Sequence, residues 1–504
     1  MTPLNDKIKF PRAAYCSFIW SFFLFLWCHV SLLEAQEIHS IVRDINDEPI
    51  QGQILDKELA IFEDSTAMLN LADIRSGAFD SEFNIPKHEF PALFNPKANF
   101  WVKLTLQNGA RQARDLIIEN RYPMLDFLTL YQIQTDGSYS ALTLGDEVDY
   151  EQRPIAFRFP AYPIRLEVGT NIFYLKMQNK GRFVASLLLW DNKNFAAYAK
   201  KDGLVLGLIY GSMIVLTLYN MFLMISFRSV TYLLYVLYLL SYIGMQFGLQ
   251  ATGIEWIGGS LGHWIMNRGW LVFGAVAHVF ACLFAASFLN MHRQMPNWIK
   301  WINGLALVNA FVAIHCIFGD YVLIGKELSF ATIAVSFVLI AAGITAAKRG
   351  FQPAIFYSFA WTTLLIGNFI LTLMFNGLFP MNFLAQWGSF LGGAMEVTLM
   401  SLALGSRMNY RQARAENTIR SLNSALKLKI QEVEKIVLER SQTIRSIIDH
   451  VKSGFFTINE YLEIQPGFTK SCYGLLGDRL VQHSSILNVL NLDGHLRSTF
   501  KLSV

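Results

Sequence analysis

The stretch LVLGLIYGSMIVLTLYNMFLMI, Leu204–Ile225, contains no charged residue from end to end. A helix of roughly 20 apolar residues crosses the about 30 Å of a bilayer's hydrocarbon core. Six more stretches of similar character follow: Tyr232–Leu249, Trp270–Leu289, Ile302–Phe318, Leu328–Ala347, Ala354–Phe375 and Phe383–Leu404. Only helices and closed barrels satisfy their backbone in hydrocarbon, and runs of this length predict seven membrane helices. The fourth is the shortest, and its junction with the fifth is the least sharply marked in sequence.

Composition agrees. Of 504 residues, 53% are hydrophobic and 16% charged, too apolar a balance for an ordinary soluble chain of this size. The net charge of +4 is small. It asks for no nucleic acid, and the cations read better as signals of topology.

At the N-terminus, Lys7, Lys9 and Arg12 precede an apolar run from Ala13 to Leu33, and Ala35 offers a small-residue cleavage point before Gln36. This is the pattern of a secretory signal peptide, with an uncleaved anchor as the alternative. Export would put the segment from Gln36 to about Lys201 outside the cytoplasm. Cytoplasmic loops are enriched in Lys and Arg, and in that orientation they hold Arg228, Arg293, Lys300, Lys348, Arg349, Arg407, Arg411 and Arg414. The outer loops hold Arg268 and Lys326, each near an acid, Glu255 or Glu327; Lys200 and Lys201 run against the trend. Seven crossings then leave the C-terminus in the cytoplasm, and the membrane is expected to be a cell inner membrane.

The exported segment has no cysteine after the signal and must fold without disulfides. Alternating stretches at Phe100–Leu106, Leu116–Glu119, Phe127–Gln134, Ile164–Val168, Asn171–Gln178 and Ala185–Trp190 are separated by turn signals at Asn108-Gly109, Asp136-Gly137 and Val168-Gly169. Strands at this spacing predict an all-β sandwich of jelly-roll type.

Several pieces of the chain resemble one family. In the exported segment they are Phe100-Trp101-Val102-Lys103-Leu104, Tyr122 to Tyr131 with Asp126 and Leu130, Gly145-Asp146, Arg153, and Phe173-Tyr174-Leu175. In the membrane part they are Gly207 to Phe222 with Tyr219-Asn220, Tyr232-Leu233-Leu234-Tyr235, Arg349-Gly350 followed by Pro353-Ala354, Gly377-Leu378 with Pro380, and Gly388 to Arg407 containing Glu396. Together, over about Asn99 to Arg414, they resemble the bacterial seven-transmembrane receptors with diverse intracellular signalling modules, the 7TMR-DISM family. No single motif is specific; their order and spacing are.

The resemblance implies a sensory receptor whose outer jelly roll, similar to carbohydrate-binding modules, captures a small ligand, and whose seven helices relay occupancy inward. The residue chemistry permits sugar binding. Trp101, Tyr131, Tyr174 and Trp190 offer flat faces, while Asp126, Asp146, Arg153 and Gln178 offer hydrogen bonds to hydroxyls. The same aromatics also suit the core of a sandwich, and Asp146 suits a turn.

A carboxylate within a membrane span is costly and faces the bundle interior, so Glu396 is read as an intramembrane polar switch or packing group. Asn220, His278 and His315 are its polar companions in the spans, with Asn220, His278 and Glu396 as the expected switch set. Interhelical packing accounts for them as well. His263 and His292 fall in loops and read as surface residues.

After the last span, Ile419, Leu422, Leu426, Ile430, Val433, Val437, Ile444, Ile447 and Val451 recur at steps of three and four, interrupted by Arg440. Steps of four on each side of Leu426 form a stutter, which unwinds a supercoil locally. A parallel homodimer is expected, with a lone amphipathic helix as the alternative. Beyond it, Ile447-Ile448-Asp449-His450, Gly454-Phe455-Phe456-Thr457-Ile458 and Tyr473-Gly474-Leu475-Leu476-Gly477 resemble the start of a PAS-like input segment. Val451-Lys452-Ser453 after His450 departs from a phosphoacceptor box.

The expected organisation is a multidomain membrane protein: signal peptide 1–35, extracytoplasmic β-sandwich 36–201, seven-helix transmembrane bundle 202–406, coiled-coil helix 407–445 and a truncated PAS-like α/β segment 446–504. There is no Gly-rich phosphate loop with a Lys and no cytoplasmic Cys/His cluster at metal spacing, so no catalytic residue, cofactor or metal is expected in this chain. Its expected partners are a small extracytoplasmic ligand, the lipid bilayer, a second copy and a cytoplasmic signalling partner such as a kinase. The alternative is the sensor portion of a histidine kinase or cyclase whose catalytic domain lies elsewhere. A transporter is disfavoured, because repeats and multiple intramembrane charges are lacking.

Overall fold

The computed structural model describes residues 43–45, 47–55, 58–86, 92–181, 183–375, 379, 382–450, 453–492 and 494–496. The expected signal peptide, and the Gly377-Leu378 and Pro380 of the resemblance, lie outside them.

The chain from 43 to 191 is a two-sheet sandwich. One sheet orders β1 (Arg43–Ile45), β5 (Asn99–Asn108), β10 (Gly169–Gln178), β7 (Phe127–Ile133) and β8 (Tyr139–Leu144), with β3 (Leu59–Asp64) also on β5. The second orders β2 (Gln51–Ile54), β12 (Leu187–Asp191), β6 (Arg114–Asn120) and β9 (Ala161–Leu166), and a small pair joins β4 (Ala92–Leu93) to β11 (Phe183–Val184). Alternation decides which side chains face inward. Phe100, Val102, Leu104 and Leu106 of β5 meet Leu116 and Ile118 of β6 and Tyr162 and Ile164 of β9 in one core. Among the described residues the sheets do not close into a barrel, and the expected strand at Ile164–Val168 begins earlier, at Ala161, because β9 pairs residue for residue along β6.

On the opposite face of β5, Trp101 lies in a second apolar layer with Phe62, Leu71, Ile74 and Tyr174. The helix α1 (Leu71–Arg75) roofs this layer, its N-terminus closed by Asn70 and Asp73 in a reciprocal capping box.

Seven helices among the described residues are long and apolar enough to cross a membrane. They are α2 (Asn192–Phe227), α3 (Val230–Leu249), the joined run of α5 (Gly259–Trp264), a π turn and α6 (Trp270–Phe288), then α8 (Pro296–Phe318), α9 (Tyr321–Lys348), α10 (Pro353–Phe375) and α11 (Phe383–His450). The short α4 (Thr252–Trp256) and α7 (Met291–Gln294) turn the chain between spans.

All seven expected spans are present, but several start earlier than hydropathy alone indicates. The helix α2 begins at Asn192 because its first turns carry Phe195 and Tyr198 against the sandwich. The junction of fourth and fifth spans is set by caps. Arg268 donates to the carbonyls of Cys316, Ile317 and Gly319 at the end of α8, and Asp320 accepts from Val322 and Leu323 N–H to start α9. Apolar residues at the ends of α3, α10 and α11, among them Leu249, Met374 and Ala385, pack on the sandwich core.

Residues 408–504 form a second compact unit. The part of α11 within it ends at His450 and exposes the apolar seam, with Leu426 at 59% and Val437 at 61%. Further on, Ile464, Cys472, Leu480, Ile486, Leu487 and Val489 make a small core around α12 (Lys470–Leu476) and α13 (Ile486–Val489). The bridges Ile458 to Ile464 and Glu463 to Ser485 are isolated, and these elements do not establish the expected PAS-like sheet.

Candidate functional site

Apart from Trp190, which belongs to the junction with the helices, the residues singled out for a ligand fall into two groups. Strand parity sets the first. Trp101, Tyr131, Tyr174 and Gln178 all point away from the sandwich core, on neighbouring strands in register: Lys176 opposite Trp101, and Tyr174 opposite both Lys103 and Tyr131. The Trp101 and Tyr131 rings stack at 5.9 Å, and Tyr139 meets Tyr131 edge-on at 5.8 Å. Lys176 lies 5.5 Å over Trp101, and Gln178 donates to Asn99 Oδ1 at 2.7 Å. Trp101 is fully buried and Tyr174 nearly so, while Tyr139 is 55% exposed and forms the open rim. The Trp101 indole N–H finds no acceptor among the described residues.

Asp126, Asp146 and Arg153 form the second group, away from the aromatic row. Gly145 allows it to close: at φ +155 its absent Cβ leaves room for the Asp126 carbonyl, which would lie 2.1 Å from a side chain there. Asp146 N–H donates to Leu125 O, Arg153 donates to the carbonyls of Gly145, Phe157 and Arg158, and Asp126 Oδ2 accepts the Lys180 N–H at 2.7 Å. Lys180 Nζ also reaches Glu147 at 2.5 Å. His263, read as a surface residue in sequence, bridges this group to the helices: Nδ1 is 2.8 Å from Asp146 O and Nε2 2.9 Å from Asp149 Oδ1.

Burial pushes the Asp146 carboxyl from its ordinary 3.8 up to about 8, with the charges of Asp126 and Glu147 adding to the effect against Lys180 and Arg153. Desolvation also raises Asp126 and Glu119.

A buried ion pair joins sandwich and helices at residues the sequence does not single out. Arg158 Nε and Nη2 donate to Asp202 of α2 at 2.7 and 2.8 Å, and Arg158 Nη1 donates to the Gln250 carbonyl at 2.7 Å. Both charged side chains are almost wholly buried. Beside them, Trp190 donates to Glu119 at 2.8 Å and stacks on Tyr198 of α2 at 4.7 Å. Trp190 therefore spends both its indole N–H and its ring face on this junction. The readable signals were a lone Arg in an aromatic stretch, Phe157-Arg158-Phe159, and an acid at the mouth of an apolar span.

Within the bundle, polar contacts converge on α11. Tyr235, Tyr238, Tyr242 and Gln246 follow one face of α3; Tyr238 donates to Glu396 Oε2 at 3.2 Å, Tyr235 to Val397 O and Tyr242 to Ser389 O, both at 3.1 Å. Gly393 permits this approach, since a Cβ there would fall 2.0 Å from the Tyr242 hydroxyl. Asn220 of α2 donates to Ser401 at 3.2 Å, Ser389 to Asn368 of α10 at 2.6 Å, and Arg407 to Ser287 O of α6 at 2.7 Å. Glu396 Oε1 is buried without a donor among the described residues. His278 is not part of this set: it pairs with Asn309 at 3.1 Å, between α6 and α8. His315 pairs with Glu327 at 2.8 Å, between α8 and α9. Among the described residues, no group of three or more side chains is placed to hold a metal ion.

A β-sandwich keyed into seven membrane helices is the architecture of a transmembrane sensory receptor with an extracellular domain. Residues 202–407 match the family model described as 7TM diverse intracellular signalling, and residues 56–191 the model described as 7TMR-DISM extracellular 2. The chain belongs to the 7TMR-DISM family. Both matches are to sensory domains. No curated protein matches it.

Arg158→Met should leave Asp202 charged and buried without its partner, costing about 3–5 kcal/mol. Arg158→Met with Asp202→Leu should recover most of the loss in thermal melts of the full chain in detergent; equal damage in both variants would show that the ion pair is not what joins the two parts. An acid whose pKa is higher folded than unfolded contributes fully below its unfolded value, and that stability is lost as pH rises through the folded value. The melting temperature is therefore expected to fall between about pH 4 and pH 8, and Asp146→Asn to make the slope shallower, with the difference largest near pH 8. Parallel pH profiles in the two proteins would contradict this.

Proposed function

We propose that this chain is a bacterial inner-membrane receptor whose sandwich binds a small periplasmic ligand and whose α11 carries the signal to a cytoplasmic effector. One observation carries the reading: polar contacts from α2, α3, α6 and α10 meet on α11, the helix that extends to His450. A change at the sandwich reaches α2 and α3 through Asp202 and Gln250, and those two helices hold α11. The cations at Arg228, Arg293, Lys300, Lys348 and Arg349 lie at or beside the helix ends away from the sandwich, which favours that end as cytoplasmic.

The ligand assigned to the aromatic row is a carbohydrate. Tyr131 and the rim Tyr139 supply the stacking faces, backed by Trp101 and Tyr174, and Lys103, Lys176 and Gln178 supply hydrogen bonds to hydroxyls. Asp126, Asp146 and Arg153 are assigned to the relay, since their partners are loop backbone and the His263 bridge. The exposed seam from Ile419 to Ile447 supports a parallel homodimer that presents the tail to a partner such as a kinase.

On a glycan array probed with the full chain, a sugar class should be retained, and Tyr131→Ala should weaken it about tenfold, the equivalent of roughly 1.4 kcal/mol. Retention of no glycan, or unchanged affinity in Tyr131→Ala, would contradict the assigned ligand or face. Glu396→Gln keeps an acceptor for Tyr238, so its melting is expected to match the wild type. By reciprocity between coupled sites, ligand affinity should nonetheless shift at least about fivefold. Unchanged affinity would confine Glu396 to packing.

A further inference from the structure

The helices α8 and α9 run antiparallel, yet they leave between them an open groove of about 730 Å³. Its walls are Trp298, Trp301, Gly304, Leu305 and Val338, and Asn297 and Lys300 stand at its mouth. Trp301 is 76% exposed, and a Cβ on Gly304 would touch nothing within 4 Å, so the trough is formed by a missing side chain.

The charged residues at this end of the helix pair are of one sign. Lys300 begins α8, Lys348 and Arg349 end α9, and Arg293 lies in the preceding turn, with Arg349 donating to the Gln294 carbonyl so that the two helix ends share one edge. No Asp or Glu occurs from Trp256 to Gly319, nor from Leu328 to Met395. The opposite end of the same helix pair carries the His315–Glu327 pair in the lining of a neighbouring groove, so a carboxylate belongs to that end. An anionic head group is thus favoured at the Lys300 end and opposed at the other.

We propose that the groove between α8 and α9 is a binding site for one anionic phospholipid of the bilayer, with an acyl chain along Trp301, Gly304, Leu305 and Val338 and the phosphate against Lys300, the basic side chain that lines it. Basic pockets between membrane helices bind such head groups, and the paired indoles Trp298 and Trp301 suit the interface at which the head group lies. Nothing in this site touches the sandwich, so the lipid is expected whether or not the sandwich binds a sugar.

The test uses the full chain in nanodiscs of equimolar phosphatidylglycerol and phosphatidylcholine, released into detergent and weighed by native mass spectrometry. Wild type should retain phosphatidylglycerol several-fold over phosphatidylcholine, at one or more molecules per chain. Gly304→Phe, which fills the trough and leaves every charge in place, should lose that preference, as should Lys300→Gln, while Lys300→Arg should keep it. Equal retention of the two lipids by wild type would overturn the site. So would full retention in Gly304→Phe, which would assign the binding to the basic surface alone. The melting temperature of Gly304→Phe checks that the bundle is intact; should it fall, the comparison of Lys300→Gln with Lys300→Arg decides, and equal retention by those two overturns the proposal.

Discussion

The two-pronged ion pair between Arg158 and Asp202 is the constraint on which the arrangement of this molecule depends. An arginine and an aspartate removed together from water gain little net stability, because desolvation offsets most of their attraction. What they gain is position. Guanidinium and carboxylate meet in one planar geometry, and Arg158 also grips the Gln250 carbonyl at the end of α3. Any rotation of the sandwich on its helices would leave a charge buried and unpaired. The stacked Trp190 and Tyr198 and the buried Glu119 beside them add apolar and hydrogen-bonded contact to the same joint. His263, on the far side, ties the Asp146 loop to the third span.

This joint explains why α2 is much longer than a span needs to be. Its first turns serve the sandwich, with Phe195 and Tyr198 in the joint's apolar cluster. Its later turns reach Asn220 and, through Ser401, the seventh span. One rigid element therefore touches both the sandwich base and α11. The tyrosine face of α3 makes a second such line, from Gln250 at one end to Tyr235, Tyr238 and Tyr242, whose hydroxyls reach α11. Polar contacts between membrane helices are individually modest, so it is their convergence on α11 that gives the helix a defined seat.

Much of this was legible in the sequence because the signals are local. Runs of apolar residues mark the seven helices, and alternation marks β5, β7 and β10. Strand parity also separates Trp101, Tyr131 and Tyr174 from Phe100, Val102 and Leu104, so the aromatic row is readable from the alternation of those strands. Helix starts were less legible, because Asp320 and Arg268 set them through caps that hydropathy does not register. Short strands such as Leu59–Asp64 escaped notice because they gain their structure from pairing with β5. The joint was invisible for the same reason. Arg158 and Asp202 lie far apart in the chain, Glu119 sits in an ordinary strand, and His263 reads as a polar loop residue until the fold brings Asp146 to it.

The proposed coupling of the sandwich to α11 runs through the Arg158–Asp202 joint. The most direct measurement is the rate of disulfide cross-linking at Leu426→Cys between copies of the full chain in membranes, in a background with the native cysteines replaced, with and without Arg158→Met. Releasing the joint is predicted to change that rate. An identical rate, in a protein whose sandwich has become demonstrably more sensitive to protease, would contradict the coupling.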